Sequence, residues 1–448
     1  LPFSRPLIYY EAIIYFYLLT LQRQIMKTPL TVFLYIFLLL MLSPTAFSDD
    51  KTTVQFHIPS SATVEMSRMY RDMLTVFENK NPSIHIDFQP SSNYDGVLNK
   101  VLELSYNNKS FGVAVIEISE LFTLKEANAI ISFDKVLNKN EMSEVIKFIT
   151  PEFLVNSYSK DGGFYGIPLM RSTPIIYYNM SHLKKIGITE DGLPKNWNEL
   201  VVALQKLKKE YNKAPFVLAN DWYDWLFEAF VKQNGGALTN KHNTQVQFDH
   251  PATIDTLTFW KYLYDEGLMT RTYGSWKANL NGFLAGQHSV IYYSTGGLGV
   301  LAEEEDEASL KFEWMVDLMP KNKIYSTPFG GANLFLSAQM TQDETKAAIK
   351  LIKFFLEPEN QAKISKNSGY FPVVKEAYND PLLKKLYSRK QFKRAKTQLD
   401  YANTRMMTKH NDLIRIILKK AIDRTLEDNI PPAISLKEAQ KSADKLLR

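Results

Sequence analysis

Cysteine is absent from all 448 residues, which removes a disulfide framework, a thiolate metal site and a thiol nucleophile at once. The same absence excludes a lipid-modified cysteine as membrane tether. Histidine is scarce: the seven, at positions 57, 85, 182, 242, 250, 288 and 410, show no metal-ligand spacing, so a zinc centre or a nucleophile-histidine pair has no local support. A phosphate loop is missing, and Gly296-Gly297-Leu298-Gly299 lacks the dinucleotide-binding pattern. Repeats, low-complexity tracts and long linkers do not occur. The net charge is only +5 from 53 basic and 48 acidic residues, too weak and dispersed for a nucleic-acid footprint. These gaps predict a protein without metal, cofactor or nucleic-acid partner.

What is present is ordinary globular composition, 45% apolar and 23% charged, at a length that suits two domains. The apolar run Leu30 to Leu42 follows Met26-Lys27 and precedes Ser43-Pro44 and the small-residue site Ala46-Phe47-Ser48. A charged start, a short apolar middle and a small-x-small end make residues 26–48 a cleavable secretory signal peptide. The run falls short of the roughly 20 apolar residues a spanning helix needs. Residues 1–25 are expected to be an upstream stretch ahead of the true start at Met26. Removing 1–48 leaves a net charge of +3, since it takes away Arg5, Arg23, Lys27 and Glu11. The expected location is the periplasm.

From Thr52 to Ile58, Val54, Phe56 and Ile58 alternate with polar residues as in a half-buried strand. Met66, Met69, Tyr70, Met73, Val76 and Phe77 then recur at three-and-four spacing, one face of a helix that Asn81-Pro82 ends. Ile84, Ile86 and Phe88 alternate again; Ser91 to Gly96 reads as a loop, Val97, Val101 and Leu104 mark a second helix, and 113–118 is an apolar run. This β-α-β-α-β order calls for a mainly parallel sheet with helices on both faces. A second such pattern starts at Ile175-Ile176-Tyr177-Tyr178, runs through a helix over 197–211 and reaches a strand over 216–218. The expected fold is therefore α/β, two doubly wound lobes joined by a hinge. The first lobe takes 49–170 and 311–357, the second 171–310 and 358–448. Open α/β sheets bind ligands at the carboxyl ends of their strands, and two facing lobes turn that edge into a cleft.

Asp221-Trp222-Tyr223-Asp224-Trp225 follows a strand and carries two indoles three residues apart. At a helix start that spacing puts both rings on one face, a flat apolar wall suited to the C–H faces of a polyol. Core packing is the ordinary fate of a single tryptophan; a pair just after a strand makes the two readings even. Gly330-Gly331 and Ser294-Thr295-Gly296-Gly297 adjoin strands and offer backbone N–H groups and hydroxyls to a polar ligand, although most glycine pairs only make turns. Arg415 lies among Leu413, Ile414, Ile416 and Ile417, where it needs either a buried acidic partner or an anionic ligand. A glycosidase acid and nucleophile could hide among the scattered carboxylates without a shared motif.

Ser172-Thr173-Pro174-Ile175-Ile176-Tyr177-Tyr178-Asn179, the helix start Pro194-x-x-Trp197-x-Glu199-Leu200, Asp221-Trp222-x-x-Trp225, Gly330-Gly331-Ala332 and Ser368-Gly369-Tyr370-Phe371-Pro372 occur in an order that resembles extracellular solute-binding proteins of ABC importers. The resemblance covers essentially the whole mature length and points to the glycerol-3-phosphate branch. It implies a type II periplasmic binding-protein fold, no enzymatic activity, a small polar ligand and the membrane permease of an importer as partner, with a monomer in solution. By the same resemblance Tyr94 contacts the ligand from the first lobe, Glu120 accepts from its hydroxyls, and Trp222 and Trp225 hold its carbon chain. Ser172, Ser294, Gly330, Gly331, Tyr370 and Arg415 surround the phosphate and the far edge of the site. Arg171, just before Ser172, adds a second cation if it faces the cleft. The expected ligand is sn-glycerol-3-phosphate or a glycerophosphodiester; the alternatives are a neutral sugar or oligosaccharide receptor and, more remotely, a secreted carbohydrate-active enzyme.

Overall fold

A computed structural model describes residues 51–59, 64–219, 221–272 and 276–448. The expected signal peptide at 26–48, the stretch 1–25 and Asn220 lie outside the described residues. The chain builds a first sheet from β1 (Thr52–Pro59), β2 (Ile84–Ser91), β3 (Val113–Glu117), β4 (Ile130–Ile131) and β5 (Ile167–Ser172). It leaves that sheet for a second one, made of β6 (Pro174–Asn179), β7 (Phe216–Ala219), β8 (Met269–Thr272), β9 (Val290–Ser294) and β10 (Trp314–Asp317). After the short β11 (Thr327–Pro328) it returns to the first sheet with β12 (Gly330–Ser337) and β13 (Phe371–Pro372), while β14 (Ala402–Asn403) pairs with β11 alone. The result is α/β, two lobes joined by a hinge.

Each sheet is more mixed than the βαβ pattern suggested. β1 runs parallel to β2 and β3, but β12 is antiparallel to β3, β4 and β5. In the second sheet β7 is parallel to β8 and β9, whereas β6 is antiparallel to β9 and β10. Two of the expected boundaries move with these pairings. β10 lies within 311–357 yet pairs with β6 of the second sheet, and β13 lies within 358–448 yet pairs with β5 of the first. Both strands are fully buried, and burial alone does not say which sheet edge a short apolar strand will cover.

Periodicity placed the three helices read from it because one face of each is buried. The helix Val64–Lys80 buries Met66, Tyr70, Met73, Leu74 and Phe77; Val76, on the flank of that stripe, is 45% exposed. β5 and β6 follow one another in the chain but lie in different lobes, separated only by Thr173. That junction is a crossing of the hinge. It sets Ser172 opposite Gly330 and Pro174 opposite Ser294, so the ends of four strands meet where the lobes join.

Gly331 holds φ +100, and a Cβ there would lie 2.2 Å from the Met170 carbonyl oxygen. Backbone cannot move aside as a side-chain tip can. Gly331→Ala is expected to destabilise the protein by about 2–4 kcal/mol through strain and overlap together, measured by urea unfolding; an unchanged midpoint would show that β12 shifts freely here.

Candidate functional site

Between the strand ends of the two sheets lies a cavity of about 400 Å³, and all ten residues singled out from the sequence line it: Tyr94, Glu120, Ser172, Trp222, Trp225, Ser294, Gly330, Gly331, Tyr370 and Arg415. Tyr94 was placed in a loop; it is in fact the first residue of the helix Tyr94–Tyr106, whose N-cap Asn93 accepts from the Gly96 N–H at 2.8 Å. Glu120 closes a single 3-10 turn directly after β3. Ser172 ends β5, Ser294 ends β9, and Gly330 and Gly331 open β12. Tyr370 follows Gly369, whose φ of +71 terminates the helix Pro358–Ser368. At Gly330 the lobes approach closely: a Cβ there would meet the Trp225 ring at 2.5 Å and the Ser172 hydroxyl at 2.9 Å.

The indoles do not form the flat wall that their spacing suggested. Trp222 is the N-cap of the helix Tyr223–Gln233, so it stands before the helical repeat begins. The two rings meet edge-to-face at 5.8 Å and 69°. The Trp225 indole N–H donates to the Phe329 carbonyl at 3.2 Å and is therefore not directed at a ligand. Trp222 instead stacks on Trp276, at 4.9 Å and 30°, and both rings pack on Tyr293. Trp276 and Tyr293 also line the cavity. Asp221 holds this arrangement, its two carboxylate oxygens accepting from the Trp276 backbone N–H at 2.9 and 3.0 Å.

Beside the aromatic groups is a charged cluster of three carboxylates and two guanidinia. Arg415 Nε donates to Asp224 Oδ2 at 2.7 Å and its terminal nitrogen to Glu120 Oε1 at 3.3 Å. The acidic partner that the apolar surroundings of Arg415 demanded is thus present, twice over. Arg405 donates to Glu117 Oε1 at 2.5 Å, approaches Asp224 at 3.7 Å and lies 5.6 Å over the Trp225 ring. Burial pushes the Glu120 carboxyl above its ordinary value; Arg415 opposes that shift and Glu117 adds to it. At Asp224 burial acts in the same direction, but Arg415, Arg405 and Lys419 outweigh it and hold the carboxyl below its usual range. Burial works against the Arg415 cation too, and there Asp224 and Glu120 prevail and raise its pKa.

Arg171 does not line the cavity. It is fully buried, and donates to the carbonyls of Phe153, Met170 and Ala332 and to Asn333 Oδ1. Sequence reasoning missed Arg405, Glu117, Asp221 and Trp276 as lining residues. Trp276 did carry a local signal, an aromatic opening an apolar pattern through Leu280 and Phe283. Arg405 carried almost none, because its partners Glu117 and Asp224 are distant in the chain. Among the described residues no cluster of His, Asp and Glu could hold a metal ion.

Chemically, the cavity offers stacking surface for C–H faces, carboxylates that accept from hydroxyls, and two guanidinia able to grip an oxyanion. Residues 72–390 match the family described as bacterial extracellular solute-binding protein. The chain is 28% identical over 236 residues to the sn-glycerol-3-phosphate-binding periplasmic protein of Rhizobium meliloti (strain 1021), an alignment covering 51% of this chain and 54% of that protein. The chain thus spans about half the length of that relative. Its fold is similar to that of UgpB from Mycobacterium tuberculosis in complex with glycerophosphocholine, with a TM-score of 0.77, 21% identity, and 89% of this chain and 98% of the other covered. The GacH receptor of Streptomyces glaucescens, solved unliganded and with acarbose, is similar at a TM-score of 0.75 and 17% identity, again covering 89% and 98%. These likenesses establish the type II periplasmic binding-protein fold.

Proposed function

The chain belongs to the bacterial extracellular solute-binding protein family, and from that premise we propose that it captures sn-glycerol-3-phosphate or a glycerophosphodiester between its lobes in the periplasm and presents it, without chemical change, to the membrane permease of an ABC importer. The observation that carries this reading is the juxtaposition, in one cavity, of stacked aromatic rings with two guanidinia and two glutamates. In the reading, glycerol carbons rest on Trp222 and Trp276, its hydroxyls donate to Glu120 and Glu117, and the phosphoryl oxygens take Arg405, Arg415, the hydroxyls of Ser172 and Ser294 and the Gly330-Gly331 backbone. A ligand that touches Tyr94 and Glu120 on one lobe and Trp222 and Ser294 on the other binds the closed form better, which is what a closure step requires.

One observation favours a second reading, a neutral polyol or sugar. Both guanidinia are already matched by Glu117, Glu120 and Asp224, so a phosphate has to compete with carboxylates for them. Calorimetric titration with sn-glycerol-3-phosphate, glycerophosphocholine and maltose separates the readings. Arg415→Ala is expected to weaken both phosphate ligands roughly 10- to 100-fold, the range for one charge-assisted contact, with far less effect on glycerol. Tight maltose binding with neither phosphate ligand bound, or equal losses for charged and neutral ligands, would remove the phosphate reading.

A further inference from the structure

Arg405 sits on a short segment that passes between the lobes, and its neighbours show how tightly that segment is held. Met406 is buried in a core of second-lobe residues and Met407 in one of first-lobe residues, so consecutive side chains are anchored on opposite sides. The Met406 N–H donates to Glu228 Oε1 at 2.8 Å. From the first lobe, Asn156 clamps the backbone of Arg405 itself. Its Nδ2 donates to the Arg405 carbonyl at 3.1 Å, and its Oδ1 accepts from the Arg405 N–H at 3.1 Å.

Asn156 is 4% exposed and adopts φ 59, the left-handed region that asparagine tolerates better than most residues. Its own carbonyl accepts from Asn333 Nδ2 at 3.1 Å, and Asn333 Oδ1 accepts from buried Arg171 at 2.8 Å. A buried polar chain therefore runs from the residue before Ser172 at the hinge, through Asn333 and Asn156, to the cation that lines the cavity. A side-chain amide supplies one donor and one acceptor in the plane that a backbone N–H and C=O present, and does so without titrating.

We propose that Asn156 is a positioning residue for ligand selectivity: its two-point clamp on the Arg405 backbone holds that guanidinium at the cavity, between Glu117 and the Trp225 ring, where it meets the anionic part of the solute. The inference rests on the phosphate reading above for its ligand, but its geometry does not. Asn156→Gly keeps the backbone conformation and removes the clamp. Asn156→Asp keeps the acceptor, and turns a carboxylate oxygen against the Arg405 carbonyl.

The test titrates the full chain and its variants with sn-glycerol-3-phosphate and maltose, and records tryptophan emission without ligand. Both Asn156 variants are expected to weaken glycerol-3-phosphate roughly tenfold, the scale of two backbone hydrogen bonds, and to leave maltose unchanged. In an Arg405→Met background Asn156→Gly should add nothing, since coupled residues do not act additively. Without ligand, Asn156→Gly should shift emission as Arg405→Met does, and the shift should vanish in a Trp225→Phe background. Equal weakening of both ligands, or full additivity with Arg405→Met, assigns Asn156 a purely structural role and overturns the proposal. Loss of phosphate binding in Arg405→Met but in neither Asn156 variant overturns the clamp and leaves the ligand standing. Unchanged phosphate binding in Arg405→Met removes Arg405 from the phosphate contacts and overturns the proposal, whereas failure of the unaltered chain to bind glycerol-3-phosphate overturns the ligand reading; in that second case the emission comparison decides the clamp, a shared shift upholding it and its absence ending it.

Discussion

Asp224→Asn is expected to cost about 3–5 kcal/mol of stability at neutral pH, the range for leaving a buried charge without its partner. Asp224 is 3% exposed and lies between Arg415 at 2.7 Å and Arg405 at 3.7 Å. An amide keeps the shape and one acceptor but none of the charge, so two guanidinia would be left with Glu117 and Glu120 only. The pH dependence has a definite sign. Burial raises the Asp224 carboxyl, but Arg415 and Arg405 overcome it and the folded pKa lies below the unfolded one. Its contribution is therefore fully present above the unfolded pKa and is lost as pH falls through the folded value. Glu120 titrates the other way: burial raises its folded pKa, so stability declines as pH rises from the unfolded to the folded value. The wild-type curve mixes both slopes, whereas the difference between wild type and Asp224→Asn isolates the first. Urea unfolding across the acidic range should show that difference shrinking as pH falls. A pH-independent loss near 1 kcal/mol, the size of one ordinary hydrogen bond, would mean that the guanidinia find other counter-charges.

Arg171→Met is expected to destabilise by a similar amount, about 3–5 kcal/mol, although methionine fills much of the space. Replacing a buried ion pair with apolar residues can be neutral when both partners go. Here the acceptors are the carbonyls of Phe153 and Ala332 and the Asn333 amide oxygen, which a single substitution cannot remove. Each buried acceptor left unpaired costs about 1–3 kcal/mol. Burial lowers the Arg171 pKa to about 9, with Glu117 and Tyr94 opposing, so the group stays a cation at neutral pH. The strands that Arg171 ties together are those ending at Ser172 and beginning at Gly330. Ligand affinity should therefore fall along with stability, while the ratio of phosphate to maltose affinity holds. A changed ratio would show that the loss travels through Asn333 and Asn156 to Arg405, since Arg171 itself does not line the cavity.

The elements that were legible have a local cause. Alternation through Val54, Phe56 and Ile58 and the stripe Met66, Tyr70, Met73 and Phe77 each record one buried face, and burial of that face is what selects strand or helix. The positions of Ser294 and Gly330 were legible for a related reason: strand ends and the turns after them are where a doubly wound sheet opens to ligand; Tyr94 and Ser172 were singled out by the family resemblance.

The charged cluster was not legible, and neither was the geometry of the indoles. Arg405 and Glu117 are 288 residues apart, and Arg415 and Asp224 are 191 apart. No periodicity connects such pairs, because a guanidinium finds its carboxylate through space and not along the chain. Likewise Trp222 stacks on Trp276 rather than lying flat beside Trp225, since Asp221 brings a second helix start to it. Residue types and local faces thus determined many of the elements and part of the lining of the cavity. Only the packed tertiary structure decided which cation meets which acid, and so how much positive charge is left for a ligand.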